Sequence, residues 1–461
     1  MIRLNTVFLL LVFLFGYKTA YNQANKRFVN GFASKINGND FQYHSPIPLA
    51  TESLLVRATD GSSQMEWLTS PLPDNNKDTA IIIWLAGIGS SPGYAAFDVW
   101  VNKIIENQCY EIGFDTLRGT VRSLFDKCSG HEWIASDDST GLGAFIYETL
   151  GNRSQMESFK LDNYQRRLPD TVWFEGIQPG ELFDAFRFRA STPAAMVPGG
   201  LITEYRLSKS FPRIEIVYHL EKKLVTEPEG IYIAFPFDLE GGNLAFDVQG
   251  GEIRPGIDQI PGSANDWNTV QTYARIYDNN KQLILSSNDI PLMQFGGINT
   301  GRYKADAKPA SLYRYSWPMN NYWTTNFNAY QMGTHEWTYT LTTSADASQA
   351  TAARFGAENK VPFLSRVIPG GGKDQPEDKF SIFSNWPAHV MLVNMKPLDD
   401  VGCLLMHVRE ITGQKVLFEP ETLTKTYSIQ MVRCDANGNI LPEANSLLSP
   451  YESAFFKIIV R

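Results

Sequence analysis

Apolar and polar residues alternate with a period of two along most of this chain. The clearest run is Ile231, Ile233, Phe235 and Phe237, with small or turn residues between them, the pattern of a strand with one buried face. A Gly-rich turn follows, then a second alternating run through Leu244, Phe246 and Val248. The same pattern predicts strands at 110–114, 121–125, 171–175, 201–207, 214–220, 274–277 and 283–286. It predicts more at 337–342, 390–395, 404–410, 427–433 and 455–460. Helical periodicity is nearly absent, and 347–355 is the best helix candidate. Many strands separated by Gly, Pro and Asn turns predict an all-β chain of stacked antiparallel sheets.

Upstream, β-type runs at 54–58, 65–68, 79–86 and 97–101 predict a small N-terminal β-unit, while 21–48 reads as polar and irregular. The first residues have the pattern of a signal peptide. Arg3 supplies a positive start, Val7 to Phe15 a short apolar core, and Thr19 and Ala20 a small-residue region. The apolar run is short for a bilayer span. The expected organisation is a signal peptide over 1–22, the β-unit over 23–107, a large β-sandwich over 108–368 and a C-terminal β-sandwich portion over 380–461. The composition of 369–379 (PGGGKDQPEDK) suits a linker. This organisation predicts a secreted or periplasmic protein with no membrane segment after cleavage.

Composition narrows the class. Of 461 residues, 43% are apolar and 13% aromatic, enough for large cores and against disorder. The formal charge of -8, with no basic stripe, argues against nucleic acid as a partner. The four cysteines, Cys109, Cys128, Cys403 and Cys434, have no C-x-x-C spacing, which argues against a zinc site built on them. In a secreted chain they allow three disulfide connectivities, and buried thiols are an equal reading.

Two segments concentrate polar side chains with tryptophan. In 254–267, Arg254, Asp258, Gln259, Asn265, Asp266 and Trp267 are punctuated by Pro255, Gly256, Pro261 and Gly262. In 319–327 (MNNYWTTNF), Asn320, Asn321, Tyr322, Trp323 and Asn326 stand together without a charge. An indole covers the apolar face of a pyranose, and carboxylates and amides take its hydroxyls. The candidate carbohydrate-binding residues are therefore Asp258, Gln259, Asp266, Trp267, Asn320, Asn321, Trp323 and Asn326, expected around one partly exposed groove. Two catalytic alternatives use overlapping residue types. A glycoside hydrolase needs two carboxyl groups, and Asp258, Asp266 and Glu252 are close in sequence. A polysaccharide lyase needs a Tyr or His base with an Asn or Arg to neutralise a uronate, and His219, His335, Tyr322, Asn320, Asn321 and Arg314 supply those types.

The phrase 110–134 (YEIGFDTLRGTVRSLFDKCSGHEWI) resembles the opening of the C-terminal β-domain of glycoside hydrolase family 38, the α-mannosidase family. The resemblance continues in order through 232–237 (YIAFPF), Arg254 with Asp258-Gln259, Pro261-Gly262-Ser263 with Asp266-Trp267, 319–327, Gln331 with Gly333, and Arg354-Phe355-Gly356. It covers about residue 108 to the end and is closest to a bacterial branch. It implies a large antiparallel β-sandwich of galactose-mutarotase-like type, associated with carbohydrate binding, that packs against a catalytic barrel. It also implies a glycan or oligosaccharide ligand and a barrel-bearing catalytic partner. The family's zinc site begins from His-x-Asp in that barrel, and none of His44, His131, His219, His335, His389 or His407 has Asp two residues later. An α/β barrel needs about 200 residues, and the stretch before the resembling region is too short. Neither zinc nor the family's catalytic residues can be assigned to any position here, and no cofactor is expected.

Overall fold

A computed structural model describes residues 32–37, 40–44, 54–59, 62–67, 81–84, 98–136, 138–153, 163–263, 266–300, 308–323 and 328–361, then 363, 365, 381, 383, 385–400, 402–419, 423, 429–442 and 445–460. The expected signal peptide and the expected linker lie outside these residues. The chain divides into two units, one of residues 1–106 and 111–124, the other of 107–110 and 125–461.

The first unit contains an antiparallel meander of Phe32–Asn37, Asp40–His44, Leu54–Thr59 and Ser62–Trp67. The first two strands fall where the sequence reads as irregular. Their apolar residues are sparse, and pairing with neighbours, which propensity does not encode, makes them strands. Ile81–Trp84 then pairs with Asp98–Glu106, which pairs with Tyr110–Asp115.

The second unit is built on two facing sheets. Nine strands run in the order Thr171–Pro179, Phe183–Ser191, Leu201–Ser208, Ile214–Lys222, Gly333–Ser344, Gln282–Ser287, Tyr273–Tyr277, Asn243–Val248 and Gly251–Ile253. Six run in the order Gln165–Arg167, Phe145–Thr149, Glu229–Phe235, Arg314–Asn320, Leu292–Phe295 and Asn268–Thr269. The all-β sandwich expected from the alternation is what forms. Between the sheets Phe235 meets Tyr339 edge-on at 5.0 Å, Phe246 meets Phe295 at 5.2 Å, and the Tyr339 hydroxyl donates to Ser316 Oγ at 2.8 Å. Phe145–Thr149, Arg314–Asn320, Leu292–Phe295 and the short Gln165–Arg167, Gly251–Ile253 and Asn268–Thr269 are absent from the sequence prediction. So is Phe183–Ser191, although Phe186 and Phe188 alternate there with Arg187 and Arg189.

The Glu229–Phe235 strand corrects one expectation. Alternation predicts one buried face, yet all seven residues are buried. Ile233 and Phe235 face the nine-stranded sheet, while Tyr232 and Ala234 belong to a second cluster on the opposite face with Ala144, Ile146, Trp317 and Tyr322. Loops roof that outer face, so small and aromatic residues there are as dry as the inner ones.

The helix forms at Gln349–Lys360, two residues later than predicted at its start and five later at its end. Ser348 caps it by accepting the Thr351 N–H. Ala350, Ala352 and Ala353 pack on Tyr273 and Ile284 together with Ile411 from the C-terminal portion. That portion orders Val390–Pro397, Cys403–Glu410, Ser453–Val460 and Ile429–Cys434 in one antiparallel sheet, with a core around Met406, Val408, Phe418 and Phe456.

One ion pair is buried beside the inner core. Lys222 Nζ lies 2.7 Å from Glu229 Oε1, and the Tyr147 hydroxyl donates to Glu229 Oε2 at 2.6 Å. Burial is the largest influence on Lys222 and lowers its pKa, with Glu229 opposing the shift. Replacing Lys222 with Met should strand the buried carboxylate and cost about 3–5 kcal/mol. Urea unfolding monitored by tryptophan fluorescence checks this, and a loss below about 1 kcal/mol would show that Glu229 is relieved some other way.

Candidate functional site

On the outer face of the six-stranded sheet, Tyr322 lies flat over Gly230. A Cβ at Gly230 would collide with the Tyr322 hydroxyl and stand 3.0 Å from its Cζ, so the missing side chain is what admits the ring. The Tyr322 hydroxyl sits 3.0 Å from the Tyr232 hydroxyl and donates to Glu148 Oε2 at 3.2 Å. Glu148 is fully buried on Phe145–Thr149. It accepts from Arg166 Nε at 2.6 Å, Thr300 Oγ1 at 3.1 Å and the Tyr164 hydroxyl, and it pairs with Arg166 Nη2 at 2.5 Å. One carboxylate thus ties four chain segments together. Burial, followed by the hydrogen bond and charge of Glu148, pushes Tyr164 up to about 12. Burial, then the neighbouring Tyr232 and Glu148, raises Tyr322 well above the ordinary tyrosine value.

Over this floor stand three indoles. Trp317 stacks on Tyr232 at 5.6 Å with 8° between planes, Trp267 meets Trp317 at 5.5 Å, and Trp323 meets Trp267 at 5.4 Å and Tyr322 at 5.8 Å. Trp317 is buried, Trp267 half-buried and Trp323 39% exposed. The Trp317 Nε1 donor is buried without an acceptor among the described residues. The arrangement is an apolar ledge at the surface that grades inward to a rigid polar network. It suits a ligand with an apolar face and hydroxyl edges.

The eight candidate residues divide. Trp267 and Trp323 come together, as the shared composition of their loops suggests. Asn320 ends the Arg314–Asn320 strand opposite Gly230, half-buried. Asn321 turns inward: its Oδ1 accepts the Glu229 N–H at 2.7 Å, and its Nδ2 donates to the carbonyls of Glu227 and Ala329 at 2.9 Å each and of Val225 at 3.2 Å. Its amide is a splint between backbones rather than a ligand contact. Gln259 is likewise committed, accepting from Gly256 N at 2.8 Å and donating to Asn268 at 2.8 Å. Asp258 grips Arg254 through both oxygens, at 2.9 and 2.8 Å, and this hydrogen bonding lowers its pKa. Asp266 is 2% exposed, its backbone carbonyl accepting from Asn299, so its carboxyl does not face solvent. Asn326 lies outside the described residues. Asp258, Gln259 and Asn321 share one physical cause: a polar loop between strands satisfies its own backbone with its side chains.

The catalytic alternatives do not assemble either. Glu252 is bound by Arg275 at 2.6 and 2.7 Å and by the Tyr273 hydroxyl at 2.8 Å. Arg314 lies between the sheets, donating to Ala274 O, whereas Tyr322 is on the outer face. His219 pairs with Glu336 at 3.0 Å across two strands of the nine-stranded sheet. Among the described residues no group of three His, Cys, Asp or Glu is placed to hold a metal ion, so the zinc of the resembling family has no fitting ligand set there.

A separate depression of about 1000 Å³ opens at one end of the sandwich. Its wall is the turn from Phe237 to Leu244, with Arg254, Ile257 and the segment 308–313. Arg254, held by Asp258, is its link to the sequence candidates.

Residues missed by sequence reasoning are Glu148, Tyr164, Arg166, Tyr232, Thr300 and Trp317. They come from five separate stretches of chain, and no local spacing joins them. The one available signal is the pairing of Tyr232 with a glycine two residues before it in a buried strand.

The fold and this surface define a two-sheet antiparallel sandwich with an aromatic ledge. Residues 105–289 match the glycosyl hydrolases family 38 C-terminal domain, the domain that the motifs of this stretch resemble. No curated protein matches the chain in sequence. Among solved structures, an α-mannosidase from Enterococcus faecalis V583 is similar at 12% identity and a TM-score of 0.53, over 77% of this chain and 42% of its own. A protein in the glycosyl hydrolase family 38 from Enterococcus faecalis is similar at 10% identity and a TM-score of 0.56, over 95% of this chain and 53% of its own. At these identities the likeness speaks for the fold. This chain spans about half the length of those two proteins.

Two outcomes test the network. Asn321→Ala should leave a buried N–H and several carbonyls unpaired and cost about 1–3 kcal/mol, read from urea unfolding; a neutral change would return Asn321 to the ligand-facing set. The tyrosines have folded values above the ordinary 10. Their stabilising contribution is therefore complete below pH 10 and is lost as pH rises toward and past 12. Thermal melts between pH 8 and 12.5 should show a level midpoint followed by a decline, flattened in Tyr164→Phe.

Proposed function

We propose that this chain is a secreted carbohydrate-active protein, a counterpart of the accessory half of a family 38 α-mannosidase, that binds a neutral glycan. The family 38 domain makes the protein glycoside-hydrolase-related. The binding surface is the Trp323–Trp267 ledge. The observation that carries this reading is a large aromatic left 39% exposed directly over a rigid, fully bonded floor. An exposed tryptophan on a scaffold that ordered is a contact surface held ready at little entropic cost. Sugar rings would lie on the indoles with their hydroxyls toward the half-buried Asn320. Cleavage would fall to a barrel-bearing catalytic partner, because the carboxylates nearest the ledge are buried or committed to structural bonds. Nucleic acid is not a partner for a chain of net charge -8. The apolar start with Arg3 supports export.

Calorimetric titration of the purified chain against mannosides and a panel of neutral oligosaccharides should give saturable binding. Trp323→Ala should weaken it by about tenfold, on the order of 1.4 kcal/mol, while the thermal midpoint stays nearly unchanged. Flat titrations across the panel, or a variant that unfolds, would overturn the reading.

A further inference from the structure

The four cysteines leave three possible sets of two disulfides, and the topology removes one partner choice. Cys403 stands opposite Ile459 on one side of the Ser453–Val460 strand, and Cys434 stands opposite Phe455 on the other side. An intervening strand separates them by about 10 Å, and the offset along it adds about 13 Å. A disulfide spans no more than about 7 Å between Cα atoms. Both thiols are also buried.

Cys109 and Cys128 are placed differently. The Lys127 N–H donates to the Cys109 carbonyl at 2.8 Å, so the two chain segments run side by side. Asn107 Oδ1 holds the N–H of Cys109 at 2.8 Å and of Tyr110 at 2.7 Å. Asp126 Oδ1 accepts the Cys128 N–H at 2.8 Å, and Asp126 Oδ2 accepts from Thr343 Oγ1 at 2.9 Å, itself 3.0 Å from the Tyr110 hydroxyl. Both cysteines are thus fixed by side chains that also anchor to the nine-stranded sheet. Burial, followed by the neighbouring Cys128 thiol, raises the Cys109 thiol above its ordinary value, which is the effect of two thiols side by side. Cys128 is exposed and Cys109 half-buried, so a dissolved oxidant reaches the pair.

We propose that Cys109 and Cys128 form a disulfide that closes the neck of the hairpin between them, leaving Cys403 and Cys434 as thiols. With a low-molecular-weight disulfide such as oxidised glutathione, the exposed Cys128 thiolate attacks one sulfur and expels one glutathione thiolate. The Cys109 thiolate then attacks the Cys128 sulfur of the mixed disulfide and expels the second. The two protons lost by the cysteines end on the two glutathione thiols; the cysteine pair is oxidised and the glutathione disulfide reduced. Closing the segment between residues 109 and 128 restricts the unfolded chain and so stabilises the folded one.

Trypsin cuts after Arg118 and Lys127, which places the two cysteines on separate peptides. The full chain is equilibrated with oxidised glutathione, alkylated and mapped by mass spectrometry without reduction. One cross-linked species joining the Cys109 and Cys128 peptides is expected, with Cys403 and Cys434 alkylated only after unfolding. The thermal midpoint should fall when dithiothreitol is added to the wild type and stay constant in Cys109→Ser, in which Cys128 should instead carry one glutathione. The proposal is overturned if both peptides remain alkylatable in the wild type, if Cys128 stops at the glutathione adduct there, or if either cysteine is found joined to Cys403 or Cys434.

Discussion

A strand buried on both faces needs two covers, and Glu229–Phe235 imposes that requirement on the rest of the sandwich. Its inner face is covered by the nine-stranded sheet, as in any sandwich. Among the described residues no third sheet covers its outer face. Instead the segments around Tyr164, Trp267, Ile298 and Tyr322 close over Tyr232 and Ala234. Covering a sheet with loops brings backbone polar groups into a dry space, where each must find a partner. Asn321 answers that need for the 225–229 and 329 backbones, and Glu148 answers it for the hydroxyls of Tyr164, Thr300 and Tyr322. The roof is therefore polar inside and aromatic above, and the exposed indole of Trp323 follows from it.

Three carboxylates of the second unit are each matched by a cation. Glu229 is matched by Lys222, Glu148 by Arg166, and Glu252 by Arg275, whose guanidinium also covers the Tyr277 ring at 3.9 Å. Each pair ties nearby segments of the chain, and each carboxylate is buried enough that losing its cation costs more than the pair contributes. Arg314 is held differently. It is wholly buried with one bond to Ala274 O and the Phe237 ring 5.3 Å away, and burial alone lowers it to about 9. It sits against the inner wall of the sandwich close to the segment that lines the end depression, through the adjacent Tyr313.

The period-two alternation determined the class. It followed from burial of alternate faces, a local property that a reader of residues 214–220 or 201–207 can see directly. The order of the family motifs likewise pointed to the domain whose family model matches residues 105–289. Trp267 and Trp323 were legible as a pair from the makeup of their loops. What the sequence left open was decided by contacts between residues far apart. Asn321 and Trp323 are two positions apart and look alike as candidates, yet one is a buried splint and the other an exposed ledge. Glu148 lies in an unremarked apolar run and becomes the centre of the network. Four cysteines, equivalent on paper, separate into a neighbouring pair and two thiols with a strand between them. In each case the deciding quantity is which backbone or side chain a group meets across the sheet, and register and roofing set that only once the whole sandwich has closed.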